Sequence, residues 1–322
     1  MATASMEVRR PENRGRAGAP RERRSLKSPD GNGPAPSPRR ALERSGEAAK
    51  QPKRGEILAV ASGKGGVGKS NIAVGLGIML AAGGSRVAII DADGGAGDLD
   101  VLLNVSGGPT LADVRHGGRR LADVLIPTAG GVSLARGSYL AGREDLAAAV
   151  RRAEILDGVT ELRESHDFVI IDCGSGVGTD VLEPCRRAGH VLVVTTPEPT
   201  AITDAYGLIK LLAGCGYPGR LSVLVNMAAS RDEARFTYGR LAGVSWQFLH
   251  RTVFDAGYVL TDPKVPAAVR ARRPVVLAHP RCPASRCLAA LSVKLQPDLG
   301  HAEPKGVMSG LAKKLRKLVR HA

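Results

Sequence analysis

Nine consecutive residues, Ser62-Gly63-Lys64-Gly65-Gly66-Val67-Gly68-Lys69-Ser70, limit this chain more than anything else in it. They stand between an apolar run, Ile57–Ala61, and an amphipathic stretch, Asn71–Ala82. A strand that ends in a glycine-rich turn and leads straight into a helix is the frame of a phosphate-binding loop. The glycines let backbone N–H groups turn inward around phosphate oxygens, and the helix N-terminus adds a favourable dipole. On this reading Gly63, Lys64, Gly65, Gly66, Val67, Gly68, Lys69, Ser70 and Asn71 face a nucleotide. Lys69 would reach the β- and γ-phosphates of ATP, and the Ser70 hydroxyl would ligate Mg²⁺. The plain alternative is a glycine-rich turn with no ligand.

The loop sits in a matching context. From Gly55 onward short runs rich in Val, Ile and Leu recur at Ile57–Ala61, Val87–Ile90, Phe168–Ile171, Val191–Val194 and Leu221–Val225. They lack polar alternation, which suits parallel strands covered on both faces. The stretches Asn71–Ala82, Thr179–Ala188, Ala201–Leu212 and Asp232–Leu249 are long enough for crossover helices. The expected fold is therefore α/β, a doubly wound and mostly parallel sheet over residues 55–300. The echo of Leu111-Ala112-Asp113-Val114 in Leu121-Ala122-Asp123-Val124 is too short to be a structural repeat.

Carboxylates stand where such a sheet would put them. Val87-Ala88-Ile89-Ile90 runs into Asp91-Ala92-Asp93, and Phe168-Val169-Ile170-Ile171 ends in Asp172. A carboxylate at a strand's C-terminal end can accept a hydrogen bond from water and aim it at a phosphate, or hold a cation. Asp172 reads as a Mg²⁺-supporting group, and a backbone N–H at Gly174 is placed to sense the γ-phosphate. Asn226 closes the run Leu221–Val225. A simple turn after the strand is the alternative for Asp91, Asp93 and Asn226.

Lys64, the extra lysine of the loop, resembles the signature of the deviant Walker A ATPases, the MinD/ParA family of P-loop NTPases. The resemblance implies a catalytic Lys64 that crosses a dimer interface to the other subunit's phosphates. It also implies Asp93 orienting the attacking water, Asp91 beside the metal, and Asn226 against adenine. The segment Thr195-Thr196-Pro197-Glu198-Pro199-Thr200-Ala201-Ile202-Thr203-Asp204-Ala205-Tyr206 is similar to the flagellar-number regulators FlhG, FleN and YlxH. Asp98-Leu99-Asp100-Val101-Leu102-Leu103, Thr110–Val114 and Pro280–Arg286 echo the same subgroup over roughly residues 55–295. The resemblance thus implies a slow, switch-type ATPase that dimerises on ATP and sets the number or placement of flagella. Its partners would include an FlhF-like GTPase and flagellar basal-body proteins. Positioning of chromosomes, the division site or other cargo is the alternative. Two features depart from the subgroup: residues 1–54 hold no Asp-Gln-Ala…Leu-Arg segment, and Asp98 stands where an Asn is usual.

Charge separates the ends from the middle. The chain carries a net +15, but residues 1–54 hold 14 Lys/Arg against 6 Asp/Glu, and residues 301–322 hold 6 against 1. The rest is close to neutral, so an anionic partner is expected at the ends. Residues 1–54, rich in Arg, Pro, Gly, Ser and Ala, are expected to be a disordered basic tail. In residues 301–322, Val307, Met308, Leu311, Leu315, Leu318 and Val319 share one helical face opposite Lys313, Arg316, Lys317 and Arg320. That is the pattern of a basic amphipathic helix for an anionic inner-membrane surface through residues 307–320. A helix docked on the domain and a nucleic-acid tail are the alternatives. Aromatics make up only 3% of the chain, which disfavours a base-stacking platform. Five cysteines with no C-x-x-C pair argue against a disulfide framework or a zinc site, although Cys173 beside Asp172 invites an iron–sulfur check. No apolar run approaches a membrane span, and the expected location is cytoplasmic, peripheral to the inner face of the membrane.

Overall fold

The computed structural model describes residues 54–93, 99–116, 118–137 and 146–296. The tail 1–53, Asp98 and the segment 297–322 with its amphipathic pattern lie outside them. Strand β1 (Glu56–Ser62) leads through the glycine-rich loop into α1 (Lys69–Ala82). Strand β2 (Val87–Ala92) is followed by α2 (Leu99–Leu102), α3 (Leu111–His116), β3 (Ile126–Pro127), β4 (Val132–Ala135) and α4 (Leu146–Glu161). Then β5 (Phe168–Ser175), α5 (Thr179–Arg187), β6 (His190–Thr195) and α6 (Pro199–Gly214) alternate. The described part closes with β7 (Arg220–Ala228), α7 (Arg231–Leu249), β8 (Phe254–Leu260), α8 (Lys264–Arg270), α9 (Val275–Ala278) and α10 (Pro283–Leu295).

The eight strands form one sheet in the order β3-β4-β2-β5-β1-β6-β7-β8. Every pairing is parallel except β3 with β4. This is the doubly wound α/β sheet that the apolar runs imply, and β1 lies inside it, between β5 and β6. Alternate residues of the inner strands feed two cores. Leu58, Val60, Ile89, Ile170 and Leu192 pack towards α1 and α10, while Ile57, Ala59, Ile90, Ile171 and Val193 join residues of α5, α6 and α7. At about 25 cal/mol per Å² of apolar surface removed from water, this two-sided burial holds the strand ends in place.

Helix α1 is buried almost all round rather than along the single stripe that an amphipathic stretch implies. It fits because it carries glycines. A Cβ on Gly75 would lie 2.7 Å from Leu288 of α10, and one on Gly77 would lie 2.8 Å from Ile89 of β2. Without those methyls the loop-bearing helix sits directly on both neighbours. The Leu-Ala-Asp-Val echo is a shared local device. Asp113 accepts from the Thr110 backbone N–H at 2.7 Å and Asp123 from the Arg120 backbone N–H at 3.2 Å, each starting a short helical turn.

Candidate functional site

The loop after β1 wraps the N-terminus of α1. Gly66 (φ 79°) and Gly68 (φ 83°) adopt left-handed backbone, which non-glycine residues enter only at a cost of about 1–2 kcal/mol. Ser62 Oγ donates to the Lys64 carbonyl at 2.9 Å, and the Gly176 N–H donates to the Ser62 carbonyl at 2.9 Å. Asn226 Nδ2 donates to the Val67 carbonyl at 2.8 Å, so the end of β7 braces the loop from the opposite side. Gly63 lies so close to α6 that an added Cβ would overlap the backbone of Asp204.

Lys69 is buried and points under the loop. Its Nζ lies 2.7 Å from Asp172 Oδ1 and 3.9 Å from Asp93 Oδ2. Strands β2 and β5 set Asp91 directly beside Asp172 in register. Burial raises the Asp172 carboxyl above its ordinary range, opposed by Lys69 and by a hydrogen bond from the Ser70 hydroxyl. Asp91 is 2% exposed; burial, and then the neighbouring Asp172 charge, push it up to about 7. Its Oδ1 accepts from the Asp93 N–H at 3.3 Å, while its Oδ2 has no hydrogen-bond partner. A buried carboxylate oxygen without a donor is costly and is the kind of group that a cation completes. Mg²⁺ is commonly held by one or two carboxylates together with substrate phosphates. The Ser70 hydroxyl, Asp172 and the orphaned Asp91 oxygen therefore fit such an ion.

The raised Asp91 pKa makes a prediction for the nucleotide-free protein in chelator. The unfolded carboxyl titrates near 3.8 and the folded one near about 7, so the folded state binds more protons between those values. Stability from this group is complete below the lower value and is lost as pH rises through the upper one. Asp91→Asn is expected to match the parent near pH ~4 and to exceed it near pH ~8 by on the order of 3 kcal/mol. Urea unfolding at the two pH values measures this, and an equal effect at both would contradict it.

Lys64, expected to reach a second subunit, is held within its own chain. Its Nζ donates to Glu198 Oε2 and to Thr200 Oγ1, both at 2.9 Å, at the start of α6. Above the loop opens a cavity of about 850 Å³, a suitable size for a nucleotide. Gly65 to Asn71, Asp93 and Asn226 lie on its wall, whereas Asp91, Asp172 and Gly174 do not line it. Gly174 is in β5, and a Cβ there would stand 3.8 Å from Asp93 Oδ1. The remaining wall is largely apolar and had no motif to announce it: Val101 of α2, Met227, and Val259, Leu260, Pro263 and Val265 around the turn into α8. Met227 holds φ 56°, an uncommon backbone for a non-glycine residue, and its side chain comes close to Gly68. Cys173 is fully buried; its hydrogen bond with Cys185 and its burial hold the thiol well above the usual range. Among the described residues no group of three or more His, Cys, Asp or Glu is placed to hold a metal ion.

Three comparisons bear on this geometry. A family model, ParA, described as NUBPL iron-transfer P-loop NTPase, matches residues 53–291. The antiactivator FleN of Pseudomonas aeruginosa is 36% identical over 262 residues, covering 81% of this chain and 93% of FleN. The flagellum site-determining protein YlxH of Helicobacter pylori is 34% identical over 193 residues, covering 59% of this chain and 64% of YlxH. Among solved structures, the septum site-determining protein MinD of Pyrococcus horikoshii complexed with Mg-ADP superposes with a TM-score of 0.63. It shares 20% sequence identity and covers 76% of this chain and 97% of that one, a likeness of fold.

Proposed function

Because this chain belongs to the ParA family of P-loop NTPases, we propose that it hydrolyses ATP to ADP and phosphate as a slow switch that regulates the number or placement of flagella. The observation that carries the reading is the match to FleN along almost its whole length, combined with a loop that contains both Lys64 and Lys69. The wall of the cavity accommodates the nucleotide, with Asn226 at the end of β7 on the base side and Gly65 to Ser70 around the phosphates. Mg²⁺, held by Ser70 and Asp172 with Asp91 behind them, would neutralise phosphate charge. Lys69 leaves part of its contact with Asp172 to meet the γ-phosphate. Asp93, on the cavity wall, accepts a hydrogen bond from the attacking water and fixes its direction. Gly174, in β5 next to Asp93, offers a backbone N–H on the same side.

Lys64 gives the switch its two states. In one chain alone it is tied to Glu198 and Thr200. On ATP binding it exchanges those partners for the phosphates of a second subunit, and hydrolysis returns it. An exposed ion pair of this kind is worth only about 0–1 kcal/mol, so the exchange costs little. Lys64→Ala is expected to bind ATP with near-normal affinity, to stay monomeric with it, and to lose at least about a hundredfold in turnover, the low end for one transition-state contact. Size-exclusion chromatography with ATP and a phosphate-release assay test this. Normal dimerisation and turnover in that variant would sink the assignment.

No helix among the described residues is long and apolar enough to cross a membrane. Residues 307–320 would attach the ATP-bound dimer to an anionic inner-membrane surface, where two helices bind far more tightly than one. Equal sedimentation with anionic liposomes in ATP and in ADP would count against that coupling.

A further inference from the structure

Helix α7 packs on the sheet and beside α6 through Ala234, Thr237, Leu241 and Ser245, which leaves its opposite face bare. That face is not the usual solvated one. Phe236 is 69% exposed and Trp246, the chain's single tryptophan, is 61% exposed, while Phe248, 65% exposed, lies off this face in the last turn. Between Phe236 and Trp246 lie Gly239 and Gly243, both exposed. Nothing stands within 4 Å of where their Cβ atoms would be, so the fold does not require glycine at either position. Glycine weakens a helix interior relative to alanine, and exposed aromatic side chains forgo burial. Four residues on one face thus work against the isolated chain.

Their order identifies what covers them. Asp232, Phe236, Gly239, Gly243 and Trp246 fall within about 40° of one direction around the helix at 100° per residue, and His250 follows as its left-handed C-cap. Their spacings read 4, 3, 4, 3, 4, the same in both directions. We propose that this face of α7 is an isologous contact with a second copy of the chain, the two helices running antiparallel. In that register Phe236 meets the partner's Trp246, Gly239 meets the partner's Gly243, and Asp232 meets the partner's His250. Each aromatic ring then overhangs the small-residue saddle of the other helix, where backbones approach closely. A two-fold axis demands self-complementarity, and here it is the residue types, aromatic opposite aromatic and glycine opposite glycine, that meet the demand.

Charge excludes the chain's own tails as occupants. Arg235 and Arg240 flank the face, with Arg240 5.9 Å above the Phe236 ring, and neither forms an ion pair among the described residues. Residues 1–54 and 301–322 are both strongly basic. In the antiparallel register Arg235 faces the partner's Gln247 and Arg240 the partner's Ala242, so no like charges meet there. The surface lies on the flank of the sheet, and no residue of α7 lines the nucleotide cavity. It would therefore join dimers that ATP has already formed, rather than replace that dimer. One helix pair falls at the small end of interface sizes, below about 1,200 Å², and would be populated where attachment or ATP-driven pairing concentrates the chain.

The experiment uses the full chain without nucleotide, in a Cys215→Ser background that removes the exposed native thiol. Gly239→Cys and Gly243→Cys proteins are oxidised singly and as a mixture. Cross-linked dimer is expected at least about tenfold more in the mixture than in either protein alone, because only the mixture places the two thiols opposite each other. Separately, Phe236→Asp and Trp246→Asp are expected to weaken self-association at least about tenfold in sedimentation velocity, as aromatic anchors do, with ATP binding unchanged. Equal cross-linking in all three samples would overturn the register. A parent chain that remains monomeric at about 100 μM would overturn the contact itself. Retention of the face by single-stranded DNA or by an acidic protein, with no self-association, would assign it elsewhere.

Discussion

Lys69→Ala is expected to abolish turnover and to weaken ATP binding by at least about a hundredfold, while also destabilising the empty protein. The two losses have different origins. Lys69 is the cation that the loop aims at phosphate, and removing such a charge from a dry site costs on the order of 3–4 kcal/mol of binding or transition-state energy. In the empty protein the same ammonium is 6% exposed and neutralises Asp172, which is 1% exposed. Removing one partner of a buried pair strands the other, typically at about 3–5 kcal/mol. Part of that is relieved because Asp172 can take up a proton, and its pKa already lies above the ordinary value. The destabilisation should therefore be larger at high pH than at low pH. Lys69→Ala with Asp172→Asn should recover most of the stability and none of the activity. Differential scanning calorimetry and a nucleotide titration on both proteins separate the effects; a double variant no more stable than the single one would contradict the account.

The second large effect is expected from a single methyl group. Gly63→Ala places a Cβ inside the backbone of Asp204 and Ala205, and backbone cannot rotate away as a side chain can. Either the loop or the start of α6 must shift, at about 1–3 kcal/mol for overpacking. The shift would also separate Lys64 from Glu198 and Thr200. Gly66→Ala meets open space but has φ 79°, so it should cost about 1–2 kcal/mol in backbone strain alone. Gly189→Ala, with no neighbour within 4 Å and no positive φ, should be nearly neutral. Urea denaturation of the three proteins ranks them, and any order other than Gly63, Gly66, Gly189 would refute the contact argument.

The central strands are legible because β1, β2, β5, β6 and β7 carry runs rich in Val, Ile and Leu that are buried on both faces. β8 is not, since Asp255 and Gly257 interrupt it and it occupies the sheet edge, where only Ala256 and Val259 are buried. β3 and β4 escape notice because two and four residues are too few to show a period. In the candidate site, the loop and the carboxylates announce themselves by type and spacing. The adjacency of Asp91 and Asp172 is a matter of strand register, and the tie from Lys64 to Glu198 spans 134 positions. The apolar wall near Val265 has no chemistry to mark it. Composition misleads in one respect: a chain with 3% aromatics suggests no aromatic surface, yet three of those few rings, Phe236, Trp246 and Phe248, face solvent on α7.

The lone tryptophan on that helix gives the molecule a built-in optical reporter. Trp246 touches His250 edge-on, with ring centroids 6.4 Å apart, and lies off the cavity wall. Its emission should be that of a wetted indole and should barely respond to nucleotide alone. A blue shift that appears with rising protein concentration, and sharpens when ATP is added, would report the flank of the sheet being covered, without any label attached.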